Sequence, residues 1–168
     1  MTESLTSRPY YQFWLLLLII LIGTALRFLY LGQQSIWYDE AVSLAIADRL
    51  SIWDILANRG ESSHPPLYYL LLHVWTRWVP INDFSARFLS ALAGTLTIPV
   101  IYLVGCRLVD RRLGLWSALL IAVFPFHIYY AQEARMYTLL ALLTTLSLLF
   151  FLEAIKHNRW RAWAAYWI

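Results

Sequence analysis

The sequence predicts an all-α integral membrane protein, a multi-pass bundle of transmembrane helices with interfacial helices in its first external loop. Of the 168 residues, 61% are hydrophobic and 14% are charged, whereas soluble domains carry about 25% charged residues. Several apolar runs reach the roughly 20 residues that a helix needs to cross a bilayer. The predicted spans are approximately residues 11–31, 88–106, 113–132, 136–155 and 162–168, the last of which is cut off.

The first span is interpreted as an uncleaved signal-anchor. Its small residues Gly23, Thr24 and Ala25 are followed at once by bulky apolar residues, which disfavours a cleavage site. Because the chain stops within a rising apolar segment, we expect residues 1–168 to be the N-terminal part of a longer protein.

The charges between the spans predict the topology. Two basic clusters flank turns that are separated by two spans: Arg107, Arg111 and Arg112, and then Lys156, Arg159 and Arg161. The positive-inside rule places both turns in the cytoplasm. Residues 65–76 are short for a span, so the N-terminus is predicted to be cytoplasmic and residues 32–84 to form one external loop. If residues 65–79 also crossed the membrane, the N-terminus would lie outside.

Two helices are predicted within this loop. In the first, Val42, Ile46, Leu50, Trp53 and Leu56 recur at helical spacing beside a strip of small and polar residues that includes Ser43 and Ala47. This pattern is typical of an amphipathic helix lying in the membrane interface. A cap formed by Ser51 and Asp54 would break it near Leu50. The second helix is predicted to start at Pro65 or Pro66.

The composition also limits the partners. The net charge of +3 comes from basic residues in small groups between apolar runs, which indicates membrane loops and membrane lipids rather than nucleic acid. Cys106 is the only cysteine, so the chain has no internal disulfide and no cysteine-based metal site.

Ionisable residues gather on the predicted external face. They are Asp39 and Glu40, His64, Glu133 and Arg135, and the span-end arginines Arg87 and Arg27. Charged groups at membrane depth are costly, so they usually mark function or extend to the interface.

Four motifs in order carry a resemblance to a known family. They are Trp37-Tyr38-Asp39-Glu40, His64-Pro65-Pro66-Leu67-Tyr68, Ser85-Ala86-Arg87-Phe88 and Tyr130-Ala131-Gln132-Glu133-Ala134-Arg135-Met136-Tyr137. With the membrane pattern, the chain resembles the bacterial membrane glycosyltransferases related to protein O-mannosyltransferases. It is more distantly similar to the lipid A aminoarabinose transferases, and together these are C-type glycosyltransferases. Family members are several times longer than this chain.

The resemblance implies an enzyme of the inner (plasma) membrane with an extracytoplasmic active face. Its donor would be a sugar on a polyprenyl phosphate, and its acceptor a lipid, protein or glycan. By position, Asp39 matches the catalytic base and Glu40 its neighbour in the acidic pair. The remaining site residues expected on this basis are Arg87, Arg135 and Arg27 for the donor phosphate, with His64, Glu133 and Tyr137 as supporting residues.

One departure concerns metal binding. The aminoarabinose transferases have Glu-Lys-Pro where this chain reads Ser63-His64-Pro65, so Ser63 occupies the position of their acidic metal ligand. This puts both a divalent metal and that particular substrate in doubt, and no cofactor is assigned.

The chemistry of such a transfer suits these residue types. An acceptor hydroxyl must lose a proton as it attacks the anomeric carbon, and a carboxylate can act as the general base. An arginine can stabilise the charge that grows on the departing lipid phosphate. Attack opposite the leaving group inverts the anomeric centre, so no second carboxylate nucleophile is needed.

Each assignment has an alternative. Asp39 could cap the amphipathic helix, Arg27 could extend to the interface, Glu133 and Arg135 could pair with each other, and His64 is expected in a loop rather than on a metal. The whole protein could instead be a transporter subunit, a lipid-binding scaffold or an inactive truncated product. The sequence assigns neither the sugar, the acceptor nor the oligomeric state, and the fragment alone could be inactive.

Overall fold

The computed structural model describes residues 9–59, 64–157 and 160–166. Every regular element in these ranges is helical, which confirms the predicted all-α fold. The elements are α1 (Pro9–Phe28), α2 (Tyr38–Arg49), α3 (Ile52–Leu56), α4 (Leu67–Trp78), α5 (Asp83–Leu108), α6 (Arg111–Val123), α7 (Pro125–Ala131), α8 (Tyr137–His157) and α9 (Trp160–Tyr166).

Three of these helices, α1, α5 and α8, are long and apolar enough to cross a membrane. The pair α6 and α7 makes a fourth span if it is counted as one, bent by 58°. Helix α4 has 12 residues, about 18 Å of length, against a hydrocarbon core of about 30 Å. It is too short to cross alone.

The span predicted over residues 113–132 is bent at Pro125, between α6 and α7. Pro125 has no backbone N–H and therefore leaves the carbonyl of Ile121 without its helical partner. Arg27 takes over this carbonyl: its Nη2 donates to Ile121 O at 2.8 Å, and its Nη1 donates to Ala122 O at 3.0 Å. The guanidinium of α1 thus stabilises a break in the neighbouring span.

Helix α5 lies at the centre of the bundle and packs against α1, α6, α7 and α8. At the end where α5 turns into α6, a Cβ on Gly105 would come within 2.7 Å of Gly114 Cα. Only glycine allows this approach of two backbones, a device common between membrane helices.

The helices of loop 32–84 agree in part with the prediction. The expected break is present, since Ser51 caps α3 by accepting a hydrogen bond from the Asp54 N–H at 3.2 Å. The predicted faces of α2 are wrong, because Ser43 and Ala47 of the supposed polar strip are buried. They are buried because α2 turns this strip toward α4, where His73 Nδ1 lies 2.7 Å from the Ala47 carbonyl.

Candidate active site

A buried ion pair joins α2 to α5. Glu40 is 0% exposed and Arg87 is 2% exposed, and the guanidinium binds the carboxylate through two parallel bonds, Nε to Oε1 at 2.7 Å and Nη2 to Oε2 at 2.6 Å. This two-point geometry is the strongest form of a carboxylate–arginine pair. Glu40 therefore holds the start of α2 against α5.

The other donors of Arg87 bind the loop between α1 and α2. Its Nη1 donates to the carbonyls of Leu31 at 3.1 Å and Gln34 at 2.7 Å, and its Nη2 donates to Ser35 O at 3.1 Å. All five N–H groups of the guanidinium are thus used within the protein. This geometry argues against the predicted role of Arg87 as a phosphate ligand, because binding a phosphate would break bonds that shape the loop.

Glu40 also receives two backbone N–H groups. Ala134 N donates to Oε1 at 2.8 Å, and Trp37 N donates to Oε2 at 3.3 Å. One carboxylate therefore fixes three segments: the loop before α2, the helix α5 and the turn between α7 and α8. A buried carboxylate that loses its partners costs several kcal/mol, so this arrangement is a strong structural constraint.

Asp39, the other member of the acidic pair, has a different environment. It is half-buried in the first turn of α2, and its backbone carbonyl accepts hydrogen bonds from Ser43 and Arg135. Within the described residues, no group hydrogen-bonds its carboxylate. The suggestion that Asp39 caps the helix is wrong, because α2 begins at Tyr38 and Trp37 is the N-cap residue.

Glu133 lies in the turn after α7 and is 7% exposed. The pKa of its carboxyl is raised, mainly by burial. A hydrogen bond from Tyr129 and the charge of Arg135 lower this pKa, and the negative charges of Glu40 and Asp39 raise it. Glu133 contacts Arg135 through a backbone hydrogen bond, Arg135 N to Glu133 O at 2.8 Å. The structure thus places a third carboxyl beside the acidic pair.

Arg135 brings a cation to the same place. Its side chain is buried, and Nη1 lies 3.4 Å from both the Asp39 carbonyl and the Ser43 hydroxyl. Its guanidinium carbon lies 5.9 Å from the ring centre of Tyr137, the first residue of α8. The two distances of 3.4 Å are long for hydrogen bonds, whose usual N···O separation is about 2.9–3.0 Å.

Glu40, Arg87 and Glu133 border a pocket of about 170 Å³. It is lined by Gln34, Ser35, Trp37, Glu40, Arg87, Tyr129, Gln132 and Glu133. The other predicted site residues are not part of this wall. Asp39 precedes Glu40 in α2, and Arg135 and Tyr137 follow Glu133 in the chain. His64 precedes α4, and Arg27 is buried at the bend of α6 and α7. The alternative that Arg27 extends to the interface is also wrong, because its Nη atoms bind carbonyls and His127.

Sequence reasoning missed Tyr129 and the role of Gln132. Tyr129 precedes Glu133 by four residues, a spacing that brings side chains together on a helix. This spacing could have indicated that Tyr129 lies beside Glu133. Gln132 donates from Nε2 to the carbonyls of Leu26 at 3.1 Å and Leu29 at 3.0 Å. These carbonyls are freed by the end of α1, so Gln132 ties that end to the turn.

The structure assigns no residue to a metal. Within residues 9–59, 64–157 and 160–166, no three His, Cys, Asp or Glu side chains are grouped so that they could hold an ion. Ser63 lies outside the described residues.

The fold and the site describe a helical membrane protein with a carboxylate-rich pocket at one end of its bundle. The family of dolichyl-phosphate-mannose-protein mannosyltransferases matches residues 63–168. The chain belongs to this family, as its motifs predicted. The matched residues include Arg87 and the turn at Glu133, and they begin after Asp39 and Glu40. No curated protein and no solved structure gave a significant match.

Membership supports glycosyltransferase activity of the mannosyltransferase type in a membrane. It favours this class over the transporter subunit and the lipid-binding scaffold. A lipid-phosphate sugar as donor follows from the same membership.

Proposed function

We propose that the protein transfers a sugar from a polyprenyl-phosphate donor to an acceptor on the extracytoplasmic side of the membrane, with inversion and with Asp39 as general base. One observation carries the choice of base. Of the two adjacent carboxylates, Glu40 is saturated by Arg87 and two backbone N–H groups, whereas the Asp39 carboxylate has no hydrogen bond within the described residues. A base needs an accessible lone pair, and only Asp39 of the pair offers one.

The proposed reaction is a direct displacement. The acceptor oxygen forms a bond to the anomeric carbon while the bond from that carbon to the phosphate oxygen breaks. The acceptor proton passes to Asp39, and the electron pair of the broken bond leaves with the polyprenyl phosphate. No oxidant, reductant or covalent enzyme intermediate is needed, and attack from the far side inverts the configuration.

Arg135 is the cation that we assign to the donor phosphate. Arg87 donates to backbone carbonyls and to the Glu40 carboxylate. Arg27 donates to the carbonyls at the bend of α6 and α7. Arg135 lies beside the proposed base, with Nη1 3.4 Å from both the Asp39 carbonyl and the Ser43 hydroxyl. A charge-assisted bond from guanidinium to phosphate is shorter and about twice as strong as a neutral one.

The lipid part of the donor has a matching surface next to the pocket. A second cavity of about 290 Å³ is lined by Pro125, Phe126, Tyr129 and Tyr130 of α7. Tyr129 belongs to both cavities. A prenyl chain lying along α7 would therefore deliver its phosphate to the carboxylate-lined pocket from the lipid side.

The charge distribution supports the proposed side of the membrane. The site lies where α1 ends and α5 and α8 begin, whereas Arg107, Arg111 and Arg112 lie at the other ends of α5 and α6. Basic residues favour the cytoplasmic side, which leaves the site on the opposite face. We infer an inner-membrane enzyme with a cytoplasmic N-terminus.

The test is sugar transfer in membranes that contain the protein, with polyprenyl-phosphate sugars or nucleotide sugars as donors. We expect transfer from the lipid-linked donors only, an inverted product anomer by NMR, and loss of transfer in Asp39→Asn. Asp54→Asn is the matched control, because Asp54 lies in α3, forms an ion pair with Arg59 and does not line the pocket. Transfer from nucleotide sugars, or a retained anomer, would refute the proposed mechanism.

A further inference from the structure

A groove lies between α1 and α6 at the end of the bundle away from the pocket. Its volume is about 290 Å³, and its wall is mainly aliphatic, with Leu15, Leu18 and Ile22 from α1 facing Leu115 and Leu119 from α6. The two helices run in the same direction, because Arg27 near the end of α1 bonds to Ala122 near the end of α6. The groove therefore follows both helices from their first turns toward the bilayer centre.

Arg112, in the first turn of α6, lies at the mouth of the groove. Arg111 and Arg112 are both exposed, and within the described residues neither forms an ion pair. Of the neighbouring charges, Arg107 pairs with Glu153, and the Asp110 carboxylate accepts the Leu113 N–H at 2.8 Å as the cap of α6. Two exposed arginines beside one aspartate leave the start of α6 with a net positive charge.

Exposed aromatic residues place this mouth at the level of the lipid headgroups. Trp14 is 64% exposed and Trp116 is 63% exposed, with Tyr10 and Tyr11 exposed one turn before Trp14. Tryptophan and tyrosine prefer the headgroup region of a bilayer. A ligand in the groove would therefore have its polar end among the headgroups and its apolar end in the hydrocarbon layer.

The groove extends about 10 Å along α6, from Arg112 to Leu119, and its wall is mainly aliphatic. An extended hydrocarbon chain suits such a wall, and the positive charge at the mouth favours a lipid with an anionic headgroup. A further helix seated on α1 and α6 is the other possible occupant, and it would exclude lipid from the groove in the experiment below.

We propose that this groove binds one acyl chain of an anionic glycerophospholipid, with the lipid phosphate bound by Arg112. Basic pockets between membrane helices favour anionic lipids, at about 1 kcal/mol for each lysine or arginine near the surface. This site is at the opposite end of the bundle from the candidate active site and does not depend on the proposed transfer reaction.

The experiment is native mass spectrometry of the purified protein, titrated with phosphatidylglycerol or with phosphatidylcholine of the same chains. We expect one phosphatidylglycerol to bind more tightly than phosphatidylcholine. Arg112→Gln should weaken phosphatidylglycerol binding about fivefold, the ratio that 1 kcal/mol represents. Arg49→Gln is the matched control, since Arg49 is an exposed arginine at the end of α2, on the other side of the bundle.

A second variant tests the groove itself while keeping the charge. Leu18 is more than half exposed, so Leu18→Trp can fill the groove without disturbing the packed face of α1, and it should also weaken phosphatidylglycerol binding. The proposal is overturned if Arg112→Gln and Arg49→Gln lose binding equally, if Leu18→Trp binds like wild type, or if the two lipids bind alike.

Discussion

Breaking the Glu40–Arg87 pair tests whether these residues hold the fold or perform the chemistry. Arg87→Met leaves the Glu40 carboxylate buried with only the N–H groups of Ala134 and Trp37. It also removes the donors to three loop carbonyls. Removing one partner of a buried ion pair costs about 3–5 kcal/mol. At about 2–4 °C for each kcal/mol in a chain of this size, Tm should fall by roughly 6–20 °C.

The assay is thermal unfolding in detergent, followed by tryptophan fluorescence. The double variant Glu40→Met with Arg87→Met should lose less stability than the two single variants together, because it leaves no unpaired buried charge. Arg107→Met is the control: its pair with Glu153 is partly exposed, so the loss should stay below about 1 kcal/mol. If Arg87→Met unfolds within about 2 °C of wild type while transfer is lost, Arg87 acts on the substrate and the structural interpretation is wrong.

Three other changes have definite expected outcomes. Burial raises the pKa of Glu133, so wild type loses stability as the pH rises from the ordinary carboxyl pKa to the raised one. Glu133→Gln should therefore have the higher Tm at pH 7, and this excess should shrink in Tm scans at acid pH; an excess independent of pH would contradict the assignment. Arg27→Met should cost about 3 kcal/mol or more in detergent unfolding, because it orphans the carbonyls at the bend of α6 and α7, and a loss below about 1 kcal/mol would refute this. Gly105→Ala should destabilise by about 1–3 kcal/mol through its clash with Gly114, and unchanged unfolding would show that the helices move apart freely.

The helical membrane fold could be predicted from the sequence because the bilayer imposes a simple length and composition rule. Each helix that can cross the membrane needs a long run of apolar residues, and α1, α5 and α8 coincide with three such runs. The bend at Pro125 was harder to predict, since proline occurs in membrane helices both with and without a break. Its outcome depends on Arg27, which lies almost a hundred residues earlier and supplies the donors that the broken helix lacks.

The residue types of the candidate site could be predicted from the sequence, but the role of each residue could not. The adjacent carboxylates Asp39 and Glu40 are equivalent in the sequence. Only the fold shows that one of them, Glu40, points toward α5 and is paired there with Arg87. The faces of α2 were misjudged because hydrophobic periodicity assumes lipid or water on each side, whereas this helix packs a strip of small residues against protein.

The most direct test of the central claim compares Asp39→Asn with Glu40→Gln in two measurements on each protein, the rate of sugar transfer and the Tm. If Asp39 is the base and Glu40 the structural member, Asp39→Asn should unfold like wild type and transfer about 10²–10⁴-fold more slowly, whereas Glu40→Gln should unfold at a clearly lower temperature. Near-normal transfer by a folded Asp39→Asn protein would contradict the account and would make Glu133 the next candidate for the base.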